Sequence, residues 1–138
     1  MQVKNEMTTG IEVVNPETPL KAAAEKMKKL NIGVLPVCEN SRLIGILTDR
    51  DITVRSTAEG RDPNTAKAGE IMTGGVEWCF EDELVEDVAA KMEGKKIRRL
   101  PVINHDKKLV GMLSLGDLAI RGSREVACEI LEKVSAAA

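Results

Sequence analysis

A hydroxyl residue followed three positions later by a carboxylate occurs twice in this chain, as Thr48-Asp49-Arg50-Asp51 and as Ser114-Leu115-Gly116-Asp117. Each hydroxyl closes a fully apolar run, Leu43 to Leu47 or Leu109 to Leu113, and so stands where a strand gives way to a short helix beginning at Asp49 or Leu115. A helix start carries partial positive charge and exposed N–H groups, which makes Thr48 and Ser114 natural positions for a phosphate. A carboxylate one turn on, Asp51 or Asp117, faces the same side and can accept two hydrogen bonds from a vicinal diol. Capping accounts for the same residue types: Thr or Ser stabilises a helix start by about 1 kcal/mol, and Asp compensates the dipole. Recurrence in both halves favours binding over capping alone.

Other chemistry is poorly served. Cys38, Cys79 and Cys128 are odd in number, widely spaced and without a C-x-x-C pair, the pattern of buried, inert thiols rather than of a disulfide framework. The single histidine, His105, lies in the polar run 104–108, reads as a turn residue, and cannot by itself supply a multi-histidine metal site or a nucleophile–base pair. With 138 residues, 43% hydrophobic and 30% charged, the chain is long enough to bury a core without metal or disulfides. A net charge of −2 and two aromatic residues, Trp78 and Phe80, argue against nucleic acid, which needs a basic face or rings on which bases stack. The N-terminus has no apolar signal region and no stretch approaches a membrane span, so no membrane association is expected and a cytoplasmic location is.

The elements that position these residues repeat. Met7-Thr8-Thr9-Gly10 recurs as Met72-Thr73-Gly74-Gly75, an offset of 65 that also carries Leu35-Pro36-Val37 onto Leu100-Pro101-Val102. After one inserted turn residue, the run from Leu43 meets the run from Leu109 and Asp51 meets Asp117. The chain is a tandem duplication, with repeat 1 and its linker over 1–64 and repeat 2 with a C-terminal helix over 65–138. In each half the periodicity predicts a strand (Ile11 to Val14 in the first), then a helix. Thr18 caps the first helix, with Pro19 in its first position and Leu20, Ala23, Ala24 and Met27 on the buried face. Asp82 or Glu83 opens the second, with Val85, Val88, Ala89 and Met92. A hairpin and a short helix follow, giving β-α-β-β-α twice in an α/β (α+β) fold. Thr65 is expected to cap a helix over 66–71 and Ser123 a C-terminal helix whose stripe of Val126, Ile130, Leu131 and Val134 packs on something, a second copy of the chain included.

In-register halves of this order, each with a Leu-Pro-Val strand and a Gly-containing strand running into Thr/Ser-x-x-Asp, resemble the tandem cystathionine β-synthase (CBS) domain pair, or Bateman module, from about Met7 to Ile120. The resemblance is to small stand-alone members with no attached partner domain. It implies a regulatory, non-catalytic protein that binds an adenosine ligand (AMP, ADP, ATP, NAD or S-adenosylmethionine) in clefts between the repeats and signals by conformational change, as a homodimer with an effector protein. Thr48 and Ser114 would then hold phosphate and Asp51 and Asp117 ribose. Arg98-Arg99, ahead of Leu100, and Arg50 stand where such proteins carry phosphate-binding cations, once each. Should they converge, one charged site is favoured over two equal ones. A solvated strand edge is the alternative for Arg98-Arg99. Ile11, Val13, Ile32 and Pro36, with their counterparts Val76, Trp78, Ile97 and Pro101, stand where the family lines its base pockets. Core packing is the alternative for each, and Trp78 is assigned to the sheet interface. Two rivals remain: a dimeric scaffold with degenerate sites, and a redox or metal sensor through Cys38, Cys79 and His105.

Overall fold

The computed structural model describes residues 1–121 and 124–136. In chain order its elements are α1 (Leu20–Leu30), β1 (Val34–Glu39), β2 (Arg42–Thr48), and α2 (Asp49–Asp51) running on into a π-helical stretch over Ile52–Thr57. Then come α3 (Ala68–Ile71), β3 (Thr73–Gly74), β4 (Cys79–Phe80), α4 (Val85–Lys95), β5 (Arg99–Ile103), β6 (Leu109–Ser114), α5 (Leu115–Arg121) and α6 (Arg124–Ser135). The strands form two three-stranded sheets, β1-β2-β3 and β4-β5-β6, so the mixed helix-and-strand class expected from the periodicity is the observed one. Among the described residues no helix is long and apolar enough to cross a membrane.

Prolines trim the first strand of each half. Val14 pairs parallel with Val37, donating its N–H to the Pro36 carbonyl and accepting from the Cys38 N–H, and the ladder stops there. Upstream, continuation needs an N–H from Pro36, and downstream one from Pro16, and proline has neither. The expected strand over 11–14 is therefore a single bridge. In the second half Glu81 stands where Pro16 does, its N–H reaches the Ile103 carbonyl, and a two-residue β4 survives.

The chain divides into two compact units that do not coincide with the sequence repeats. A central unit runs Glu12–Val76, and a terminal unit combines Met1–Ile11 with the chain from Glu77 onward. The Met-Thr segments account for the exchange. Thr73 and Gly74 pair with Ile46 and Gly45 of β2, while Thr8 bridges to Met112 of β6. Each crossing runs over a glycine. A Cβ on Gly45 would lie 2.6 Å from the Met72 sulfur and 2.8 Å from the Thr73 carbonyl oxygen, and one on Gly111 would lie 2.7 Å from both the Met7 sulfur and the Thr8 carbonyl oxygen.

Each unit has its own core. Leu20, Ala23 and Met27 of α1 pack with Leu35, Val37 and Leu47 in the central unit, and Val88, Ala89 and Met92 of α4 pack with Leu100, Val102 and Leu113 in the terminal one. Several local expectations fail, among them that Asp82 or Glu83 opens α4, whose N-cap is Leu84. Ala24 is exposed. Thr18 sits one residue too early to cap α1, whose N-cap is Pro19, and its hydroxyl instead accepts the Asn15 N–H, closing a turn. Thr65 likewise lies ahead of α3, whose N-cap is Lys67, and its hydroxyl donates to the Asp62 carbonyl. The Ser123 cap falls outside the described residues. On α6, Ala127 and Ile130 are buried against α4 and α5 of the same unit, but Leu131 is 46% exposed and so does not belong to the inward stripe.

One buried charge breaks the pattern. Glu6 is 2% exposed and its Oε2 has no hydrogen-bond partner, whereas the equivalent position of the other half is the buried Ile71. An unpaired buried carboxylate is costly to desolvate, and an aliphatic side chain of similar volume removes that cost. Glu6→Ile is expected to raise stability by about 1–3 kcal/mol, read as a higher denaturant midpoint with an unchanged slope in urea unfolding. An unchanged or lower midpoint would show that Glu6 is satisfied in solution.

Candidate functional site

The apolar run of β2 ends where Thr48 turns the chain into α2, and this turn carries a reciprocal capping box. The Asp51 N–H donates to Thr48 Oγ1 at 3.0 Å, and the Thr48 N–H donates to Asp51 Oδ2 at 3.0 Å. The same box recurs at the end of β6, with the Asp117 N–H to Ser114 Oγ at 3.1 Å and the Ser114 N–H to Asp117 Oδ2 at 2.9 Å. Capping and ligand binding are thus compatible, because each box commits only one carboxylate oxygen.

Around these two turns the units differ. In the central unit the Asp49 N–H donates to the Gly33 carbonyl at 2.9 Å, and Asp49 Oδ1 accepts the Arg50 N–H at 2.9 Å. A Cβ on Gly33 would come within 2.8 Å of Asp49 Oδ2, so glycine there makes room for the carboxylate. In the terminal unit the equivalent bond runs from the Leu115 N–H to the Arg98 carbonyl at 3.0 Å, with no carboxylate at the first helical position. Arg99 stands directly across from Ser114 in the β5–β6 register. The Arg98 and Arg99 side chains are exposed, and Arg98 Nη2 reaches Ser135 Oγ of α6 at 3.5 Å. The helix start of the terminal unit therefore has one carboxylate, Asp117, with Arg99 across the ladder from its capping serine. That of the central unit has Asp49 and Asp51 beside Arg50, which is exposed and unpaired among the described residues.

The structure groups Val13, Ile32, Pro36, Thr48, Arg50, Asp51 and Val76 in the central unit and Ile11, Ile97, Arg98, Arg99, Pro101, Ser114 and Asp117 in the terminal one. Pro36 and Pro101 are buried, Ile32 is 39% exposed, and Ile11, Val13, Val76 and Ile97 are half-buried. Trp78 is half-buried, with its ring edge-on to Phe80 at 5.0 Å between centroids and the ammonium groups of Lys91 and Lys107 within 6 Å of its ring centre. His105 occupies the expected polar turn, where it stacks on Phe80 at 4.3 Å and bonds Asp82 at 2.8 Å. That contact holds the Asp82 carboxyl below its ordinary range.

Sequence reasoning missed Arg55. Its Nη1 donates to the carbonyls of Ile71 and Met72 at 3.2 and 3.1 Å, and its Nε lies 3.8 Å from Asp51 Oδ1. The signal was present: Asp51-x-x-x-Arg55 recurs as Asp117-x-x-x-Arg121. It also missed Thr8, whose hydroxyl donates to Asp117 Oδ1 at 2.8 Å across 109 residues of sequence. Of the three cysteines, Cys38 and Cys79 are buried and Cys128 is exposed, against the expectation that all are inert core. A groove of about 530 Å³ between α4 and α6, lined by Glu93, Gly94, Lys96 and Lys133, contains none of the candidate residues.

The family model of the CBS domain matches residues 2–56 and again 68–122. The chain belongs to the CBS-domain family. This CBS pair is 40% identical over 134 residues to the CBS domain-containing protein YhcV of Bacillus subtilis, covering 96% of this chain and 94% of that one. It is 39% identical over 114 residues to hypoxic response protein 1 of Mycobacterium tuberculosis, covering 82% and 79%. A crystal structure of Hypoxic Response Protein I with two coordinated zinc ions superposes with a TM-score of 0.79 at 36% identity over 88% of this chain and 98% of that one. One of CBSX2 in complex with AMP superposes with a TM-score of 0.74 at 27% identity over 90% and 97%. CBS pairs are generally regulatory and bind adenosine ligands. Among the described residues no three His, Cys, Asp or Glu side chains come together as a metal-binding set.

Proposed function

We propose that this CBS pair is a non-catalytic sensor of adenosine nucleotides, acting in the cytoplasm as a homodimer that reports its bound state to an effector protein. The observation that carries the reading is the pair of hydroxyl–carboxylate boxes, Thr48/Asp51 and Ser114/Asp117, at matching strand-to-helix turns. In this reading a carboxylate accepts the ribose diol, the hydroxyl residue and the backbone beside it face phosphate, and Arg50, Arg98 and Arg99 supply charge-assisted contacts. The AMP complex of CBSX2 supports AMP or a related adenosine ligand, with ADP, ATP, NAD and S-adenosylmethionine as the other members of the class. The half-buried Ile11, Val13, Val76 and Ile97, the more exposed Ile32 and the buried Pro36 and Pro101 supply the apolar surface for the base. Signalling is linkage: a nucleotide shifts shape or partner affinity only by as much as it binds one state better than the other.

Thermal unfolding with each of the five ligands at millimolar concentration tests the reading. A ligand present at a hundred times its Kd stabilises the folded state by about 2.7 kcal/mol, a rise in Tm of several degrees. That rise is expected for at least one ligand, and is expected to disappear in Asp51→Ala. If no ligand moves Tm, the sensor reading falls and the chain is a dimeric scaffold built on the same fold.

A further inference from the structure

We propose that Thr8 is a specificity-determining residue. Its hydroxyl closes Asp117 to a ribose diol and leaves Asp51 as the carboxylate that accepts one. This rests on the nucleotide reading above and assigns the two boxes unequal roles within it.

The two carboxylates differ at the oxygen that the capping box leaves over. Asp117 Oδ1 accepts the Thr8 hydroxyl at 2.8 Å, a hydrogen bond of ordinary length to a carboxylate. Thr73 holds the matching position in the repeat and lies along β2 as Thr8 lies along β6, yet its side chain is exposed and makes no bond to Asp51 among the described residues. Asp51 Oδ1 accepts no hydrogen bond among the described residues, and Arg55 Nε lies 3.8 Å from it, beyond hydrogen-bond distance. Arg55 is anchored instead by the two carbonyls its Nη1 holds, so it lends Asp51 positive charge without occupying an acceptor position.

A vicinal diol binds a carboxylate best when both oxygens have room for a donor. At Asp51 the diol adds bonds to those already present. At Asp117 it must compete with the Thr8 hydroxyl for Oδ1, so that both carboxylate oxygens already carry a donor before the diol arrives. A hydrogen bond to a charged group is worth roughly a ten- to hundredfold change in affinity, and that is the discrimination expected between the two boxes. Thr8 comes from the N-terminal segment, which is held on β6 by reciprocal backbone bonds between Thr8 and Met112 at 2.9 and 3.0 Å, so the closure is rigid.

Isothermal titration with AMP decides it. The wild-type chain is expected to bind one equivalent per chain, and Asp51→Asn to weaken that binding tenfold or more. Thr8→Val keeps the shape but removes the hydroxyl, and is expected to add a second equivalent or to tighten a weak second one at least tenfold. Thr8→Ser restores the hydroxyl and is expected to restore the wild-type isotherm, which a merely structural role for the residue would not require. The gain in Thr8→Val is expected to vanish in Thr8→Val/Asp117→Asn. Two equal equivalents in the wild-type chain, or a Thr8→Val isotherm identical to it, overturn the proposal and leave the nucleotide reading standing. If neither the wild-type chain nor Thr8→Val binds AMP or any of the other four ligands, both fall together.

Discussion

Gly111→Val is expected to destabilise the protein by about 3 kcal/mol, the upper end of what overpacking costs, and to lower Tm by about 10 °C at roughly 3 °C per kcal/mol for a chain of this length. The Cβ alone would stand 2.7 Å from the Thr8 carbonyl oxygen and 2.7 Å from the Met7 sulfur. The methionine can swing away; the carbonyl cannot, because it accepts the Met112 N–H that bonds the N-terminal segment to β6. Relief therefore requires that Thr8 leave β6, which also withdraws its hydroxyl from Asp117. Gly94→Ala is the control: a Cβ there meets nothing within 4 Å inside α4, and the gain in helix propensity is about 1 kcal/mol of stability. Thermal scans of the two variants should move in opposite directions. A Gly111→Val protein with wild-type Tm would mean that the N-terminal segment does not cross β6 in solution.

Where a half could be read against its copy, the amino-acid sequence showed the structure well. The duplication, the hairpins from Val34 and from about Leu100, the buried faces of α1 and α4 apart from Ala24, and both capping boxes follow from local periodicity and short-range hydrogen bonding. What was not legible is non-local. Nothing in Met7-Thr8 or Met72-Thr73 says that each crosses the hairpin of the other half, because a two-residue pairing carries no periodicity of its own. The glycines at 45 and 111, alike in both copies, were the only trace. The strand expected over 11–14, which Pro16 stops as its sequence indicates, shrinks to one bridge because a parallel neighbour of Leu-Pro-Val also has no proline N–H to bond upstream. Thr8 is not legible because its role depends on which carboxylate it faces, a matter of tertiary placement, whereas Arg55 is marked by the repeated Asp-x-x-x-Arg spacing. The asymmetry between Asp51 and Asp117 emerges only once that placement is known.

Alkaline pH should expose the weak point of the terminal unit. Cys79 is fully buried, and burial pushes its thiol up from 9.0 to about 12, with the Glu83 carboxylate adding to the rise and Lys91 opposing it. The neutral thiol is the form the fold favours. Below pH 9 both folded and unfolded chains hold the proton, so the contribution is fully present. Between pH 9 and about 12 the unfolded chain releases it while the folded chain keeps it, and stability falls as pH rises. Each unit of pH across that window removes about 1.4 kcal/mol, on the order of 4 kcal/mol in all. The other half of the chain supplies the control, since the position equivalent to Cys79 is Val14, itself buried and bridged to Val37 as Cys79 is paired with Val102. Cys79→Val is therefore expected to fold with near wild-type stability at pH 7 and to flatten this part of the alkaline limb, leaving only the loss due to other groups. The same burial should make the Cys79 thiol slow toward a disulfide reagent at neutral pH while exposed Cys128 reacts at once. An alkaline limb of equal slope in the two proteins, or rapid modification of Cys79, would show that this thiol reaches solvent and would return the redox-sensor reading to contention.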